Sequence, residues 1–165
     1  MNKEQFFKRN KGVINRLIRT RLGKTGRIVH GSRAQNALMP RFLSRHATDW
    51  DILARNPKKA AEGLEKVLDK KFRGDFFRVR EGKTRRLKVH KVVSNITDEG
   101  VADFATAERR VPSITKRRIR FATLKDQKER AEKNLKTKSA IYRRKKDLDL
   151  LERIRIFEKQ RGKKV

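Results

Sequence analysis

The chain has 165 residues, enough for one domain with a helical appendage, and only 35% are apolar, so any core must be small. Its 48 lysines and arginines stand against 19 acidic residues, a formal charge of +29, and self-repulsion of that size points to a polyanionic partner, nucleic acid ahead of an anionic membrane surface. The absence of cysteine excludes disulfides and thiolate–metal sites, and no apolar run is long enough to span a bilayer.

Residues 1–27 carry nine basic residues and one acidic residue and hold a predicted helix over residues 3–22. Phe6, Val13, Ile14, Leu17, Ile18 and Leu22 fall near one stripe at helical spacing, with Lys8, Arg9, Arg16 and Arg19 largely off it. The stripe reads as core packing, and the off-stripe Arg16 and Arg19 read as nucleic-acid contacts. Gly23 and Gly26 are expected to end the helix. The apolar strand Ile28-Val29-His30 follows and closes at Gly31-Ser32. Residues 33–39 read as a short helix with Ser32 as its N-cap, stopped at Pro40, and residues 41–47 as a loop rich in Arg and His.

Residues 48–53 read as a second strand. Asn56-Pro57 opens a helix that runs to about Phe72, with Ala60, Ala61, Leu64, Val67 and Leu68 facing inward. Strands are expected over residues 76–80 and 87–94, joined through Glu81-Gly82-Lys83, and over residues 101–105 after the turn at residues 97–100. The basic-apolar run 116–121 is a further strand candidate. Helices are predicted over residues 124–138 and 140–159, with a frayed end over residues 162–165. The fold class is therefore α+β: a small mixed or antiparallel sheet of about five strands flanked by helices, with an N-terminal helix and basic C-terminal helices.

Charge divides the chain. Residues 116–165 hold twenty basic and seven acidic residues, whereas the 88 residues from 28 to 115 hold a net charge of only +8. We read 1–27 as a basic helical arm, 28–115 as the functional core and 116–165 as a basic helical extension. Arg117, Arg118, Arg143, Arg144, Lys145 and Lys146 are the phosphate contacts expected there, with Arg16 and Arg19 at the other end. The opening Met-Asn-Lys-Glu lacks an apolar signal core, so the chain is expected in the cytoplasm or packaged within a virion.

The chemistry-bearing residues lie in the core. Asp49 and Asp51 are two apart in a strand-like run, so their side chains share a face. Two carboxylates on one face repel unless a cation sits between them, and hard cations such as Mg²⁺ take carboxylate and phosphate oxygens. Gly31-Ser32 at a strand end lets backbone amides approach a phosphate. Asp103, within the apolar run Val101-Ala102-Asp103-Phe104-Ala105, is out of place unless paired, metal-bound or exposed. The bland reading of Asp49 and Asp51 is a solvated edge-strand face, but Trp50 and Ile52 give the opposite face an apolar character. The histidines at 30, 46 and 90 are scattered and form no zinc pattern. No Walker A or G-x-S-x-G sequence supports a P-loop or hydrolase reading. With only one Trp and one Tyr, and nine Phe mostly at core-like positions, stacking on exposed bases is not an expected binding mode.

The set Gly31-Ser32, Asp49-x-Asp51 and Asp103 resembles the nucleotidyltransferase superfamily that includes DNA polymerase beta and CCA-adding enzymes, and the stretch GSRAQNALMPRFLSRHATDWDI looks like its small viral and microbial members. The order of elements over roughly residues 28–155 is similar too, although the interval from Ser32 to Asp49 is longer than the family's. The resemblance implies a metal-dependent transfer of NMP from an NTP to a hydroxyl. Asp49, Asp51 and Asp103 would hold Mg²⁺ or Mn²⁺ and be catalytic. Asp103 would help deprotonate the attacking hydroxyl, and Gly31, Ser32 and Lys133 would bind the nucleotide phosphates. Asp147, in a K-D-x-x-D-L-like run, would pair with Lys133. The charge favours a nucleic-acid acceptor, RNA such as tRNA ahead of DNA, over a small antibiotic. The alternatives are a nucleic-acid packaging or virion-associated protein that keeps the transferase fold, and a tRNA-modifying toxin.

Overall fold

The structure, a computed structural model, describes residues 2–82 and 88–162. Helix α1 (Lys3–Thr25) is capped by the Asn2 side chain, which accepts from the Glu4 amide, and ends at Gly26 with φ +63°. Gly23 stays within the helix, so Gly26 alone performs the stop expected of both glycines. Strand β1 (Ile28–His30), helix α2 (Gly31–Leu38), a 3-10 turn at Arg41–Leu43, strand β2 (Trp50–Leu53) and helix α3 (Pro57–Phe72) follow. Then come strands β3 (Phe77–Gly82), β4 (Val89–Ser94), β5 (Gly100–Ala105), β6 (Ser113–Lys116) and β7 (Ile119–Ala122). Helix α4 (Leu124–Leu135), a 3-10 turn (Lys138–Arg143) and helix α5 (Arg144–Gly162) close the chain. Lys83 and Leu87, expected at the β3–β4 junction, and residues 163–165 lie outside the described residues.

The α+β class stands, but the sheet has seven strands rather than about five, ordered β3-β4-β5-β2-β1-β7-β6. The two additional strands are a hairpin where sequence alone gave one candidate run at residues 116–121. Lys116 and Ile119 pair across Arg117-Arg118, and both arginines have positive φ, 48° and 68°. Two-residue hairpin turns of that geometry favour Asn-Gly or Asp-Gly, so Arg-Arg hides the turn. Strand β7 then adds parallel to β1, and β2 lies parallel to β5 and antiparallel to β1.

One side of the sheet is apolar. Val29, Ile52 and Phe104 are in register across β1, β2 and β5 and are nearly wholly buried. They share a core with Ile14, Ile18 and Leu22 of α1 and Ala60, Ala61, Leu64 and Leu68 of α3. Asn56 caps α3 by accepting from the Lys59 amide, as its position before Pro57 predicts. Val67, expected inward, is only partly buried. A second apolar cluster joins Met39 and Leu43 after α2 to Ala131 of α4 and Leu150 and Ile154 of α5. Beside it Arg153 donates to Gln35 Oε1 (2.8 Å) and the Leu43 carbonyl (3.2 Å), so the basic C-terminal helices are bonded to the segment that follows Gly31.

Candidate active site

Alternation along strands organises the site. The residues in register next to the apolar row form a polar one: His30 of β1 pairs with Asp51 of β2, Asp51 with Asp103 of β5, Asp103 with Lys91 of β4, and Lys91 with Arg80 of β3. Directly opposed residues on neighbouring strands project to the same face. Asp51 and Asp103, which are 52 positions apart in sequence by their numbering, are therefore side by side.

Asp49 sits one residue before β2 begins, so the strand is shorter at its start than residues 48–53 suggest. It lines a cleft of about 210 Å³ with Lys11, Asn15 and Glu99 among its walls. Its backbone is fixed by Arg33, whose Nε donates to the Asp49 carbonyl (2.8 Å) and whose guanidinium lies 4.3 Å from the Trp50 ring centroid. Trp50 Nε1 in turn donates to Asn15 Oδ1 of α1 (2.9 Å). This Arg33–Trp50–Asn15 set holds the Asp49-Trp50-Asp51 segment to α1 and α2.

The three carboxylates act on one another electrostatically. Loss of solvation and then the charges of Asp49 and Asp103 push the Asp51 carboxyl up to about 6. Asp103 is also raised, chiefly by burial, against the lowering effect of Lys91, whose Nζ donates to Asp103 Oδ2 at 2.7 Å. The other oxygen, Asp103 Oδ1, is buried with no hydrogen-bond partner. A buried carboxylate oxygen without a partner is costly, and mutual repulsion adds to that cost.

Gly31 closes the site from above. Its φ is +67°, and a Cβ there would overlap Asp51 Oδ2 and come within 3.1 Å of Asp51 Cγ. Only glycine brings the chain this near the carboxylate. Helix α2 starts at Gly31 itself, with His30 as an N-cap that makes no side-chain hydrogen bond, so Ser32 lies in the first turn and is not the cap. The first-turn amides of an α-helix have no partner within the helix, and that polarity attracts a phosphate. Burial, Arg130 and Arg143 push His30 down to about 3, which keeps its ring neutral at physiological pH.

Among the described residues, no three His, Cys, Asp or Glu side chains converge into a ready-made metal set. The donors still suit a hard cation. Mg²⁺ commonly takes only one or two carboxylates and completes its shell with phosphate and water. Asp51 and the unpartnered Asp103 Oδ1 are oxygen donors of that kind, and Asp49 is near enough to repel both.

Of the residues singled out from sequence, Gly31, Asp51 and Asp103 are brought side by side, Asp49 acts on both carboxylates through its charge, and Ser32 follows Gly31 in the first turn of α2. Lys133 is exposed on the last turn of α4, and the cations acting most strongly on Asp51 are Arg143 and then Lys91. Asp147 pairs with Arg143 (3.8 Å), one helical turn away, and not with Lys133. Arg16, Arg19, Arg117, Arg118, Arg144, Lys145 and Lys146 are exposed. Sequence reading passed over Arg33, Asn15 and Lys91, and it took His30 as structural or phosphate-facing, not catalytic. Lys91 and His30 carry a period-two signal, since each falls on the polar side of its strand. Arg33 and Asn15 act through contacts across fifteen or more positions and leave no local pattern.

The fold superposes on the crystal structure of the Megavirus polyadenylate synthase with a TM-score of 0.73 over 90% of this chain, at 15% identity, and spans about a third (32%) of that protein's chain. The likeness is one of fold. No protein-family model and no curated protein matches the sequence.

Proposed function

We propose that the chain is a metal-dependent nucleotidyltransferase that moves an NMP from an NTP to a hydroxyl of a nucleic acid, RNA ahead of DNA. The observation that carries this reading is the in-register pair Asp51 and Asp103 beneath the first turn of α2, with Gly31 closed onto Asp51. The fold shared with a polyadenylate synthase and the formal charge of +29 support it.

On this reading Asp49 and Asp51, with Asp103, hold Mg²⁺ or Mn²⁺. The bound ion supplies neutralisation of the phosphate oxygens as charge builds on them. The Gly31 and Ser32 amides and the Ser32 hydroxyl orient the β- and γ-phosphates at the helix start. The hydroxyl oxygen bonds the α-phosphorus as pyrophosphate leaves, and Asp103 accepts the hydroxyl proton at Oδ1, the oxygen that Lys91 does not hold. Arg143, whose charge already reaches Asp51, is better placed than Lys133 to meet the nucleotide phosphates.

The test is incubation with each labelled NTP, Mg²⁺ or Mn²⁺ and a pool of tRNA and oligonucleotides, beside Asp49→Ala/Asp51→Ala. Label transferred by the wild type and lost in the variant is the expected result. One observation favours a second reading, a nucleic-acid-binding protein that keeps the fold: Lys91 already neutralises Asp103 at 2.7 Å. Salt-sensitive binding without transfer in either protein would establish that reading.

A further inference from the structure

The 3-10 turn Lys138–Arg143 carries the two most exposed large apolar side chains among the described residues, Tyr142 at 76% and Ile141 at 72%. Tyr142 is the chain's one tyrosine, and residues 136–146 contain six basic and no acidic residues. All six are exposed.

The turn is held in place. Ala140 is buried, its amide donates to the Thr137 carbonyl (3.0 Å), and Thr137 Oγ1 donates to the Lys133 carbonyl (2.8 Å). Tyr142 therefore projects from a fixed backbone. Its neighbour Arg143 pairs with the buried Asp147 and is near enough to the polar row to lower both His30 and Asp51.

We propose that this turn is the docking surface for single-stranded nucleic acid, with Tyr142 stacking on a base and Arg143, Arg144, Lys145 and Lys146 tracking the backbone toward the carboxylates. The exposure of Tyr142 reverses the sequence-based expectation that base stacking plays no part, and the chemistry favours a single strand. An exposed aromatic face beside phosphate-binding cations engages both halves of an unpaired nucleotide, whereas a duplex keeps its base faces covered. A membrane fits less well. The apolar contribution is two adjacent side chains in a short turn. The proposal deepens the transferase reading, on which it rests for the direction of the strand, by naming the acceptor class and the residue that grips it.

The test is equilibrium binding, without NTP or metal, of a labelled single-stranded oligonucleotide of about 12 nucleotides, within the site sizes usual for such surfaces, and of a matching duplex. Tyr142→Ala is expected to weaken single-strand binding by about fivefold or more and duplex binding by less than about twofold, at unchanged salt slope. Tyr142→Phe, which keeps the ring, retains wild-type affinity. Equal affinity of Tyr142→Ala for the single strand, or an equal loss on the duplex, overturns the proposal. So does Tyr142-dependent capture by phosphatidylserine vesicles with no single-strand preference. Absence of nucleotide transfer, with Tyr142-dependent single-strand binding intact, would sink the transferase reading and leave this surface standing.

Discussion

Asp51 places the strongest demand on the site. Its carboxyl stands at about 6 against an ordinary value of 3.8, so the folded chain binds that proton more tightly than the unfolded chain does. Stability from this group is complete below about pH 4, falls as pH rises through about 6, and stays low above that, by roughly 2 to 3 kcal/mol for the rise from 3.8 to about 6. Asp51→Asn removes the charge and keeps the shape. Its melting temperature should exceed that of the wild type at pH 7.5, with the difference vanishing at pH 4; a constant offset at both values would show that repulsion is not the cause. Gly31→Ala makes the converse case. The new Cβ meets the Asp51 carboxylate and the residue is held at φ +67°, so it should cost about 1 to 3 kcal/mol of stability and displace Asp51. Urea unfolding measures the first effect, and nucleotide transfer near background measures the second. Asp51, Asp103 and Gly31 were legible because strand alternation and a glycine turn are local signals. Lys91 was not, because its meaning depends on which strand β5 pairs with, and pairing is a tertiary fact.

At the scale of elements, the β6–β7 hairpin shows where sequence reading fails. The usual signal of a tight hairpin is a dipeptide that tolerates positive φ, and here Arg117 and Arg118 occupy those positions. Arginine at left-handed φ costs energy that Asn-Gly would not. Arg117→Asn/Arg118→Gly should therefore raise stability by up to about 1 kcal/mol in urea unfolding. The same change should weaken nucleic-acid binding if these exposed side chains contact phosphates, so gain and loss should appear together. A fall in stability would mean that the arginines hold the hairpin through contacts of their own. Arg118 does lie against α1, with its Cβ 3.6 Å from where a Gly23 Cβ would be. By contrast, α3 was legible from end to end, because Asn56-Pro57 fixes its start and the spacing of Ala60, Ala61, Leu64 and Leu68 fixes its buried face. Strong local chemistry made the element readable, and its absence hid the hairpin.

For the whole molecule, the charge of +29 works against folding and for binding at once. Like charges repel across the surface at low ionic strength, and salt screens them over a Debye length of about 10 Å at 0.1 M. Melting temperature should thus rise as salt is added, while affinity for nucleic acid falls. The basic run that opens α5 can separate the two effects, since Arg144, Lys145 and Lys146 are exposed on its first turn. Replacing all three with glutamine removes repulsion from the folded chain and phosphate contacts from the complex. The expected result is a higher melting temperature in low salt and a log–log salt slope for single-stranded binding that is shallower by about 2, from about 0.7 per phosphate contact. An unchanged slope would show that these cations face solvent in the complex and that the strand runs elsewhere. A slope near zero in the unsubstituted protein would go further, because a chain this basic would then be using its charge for something other than nucleic acid.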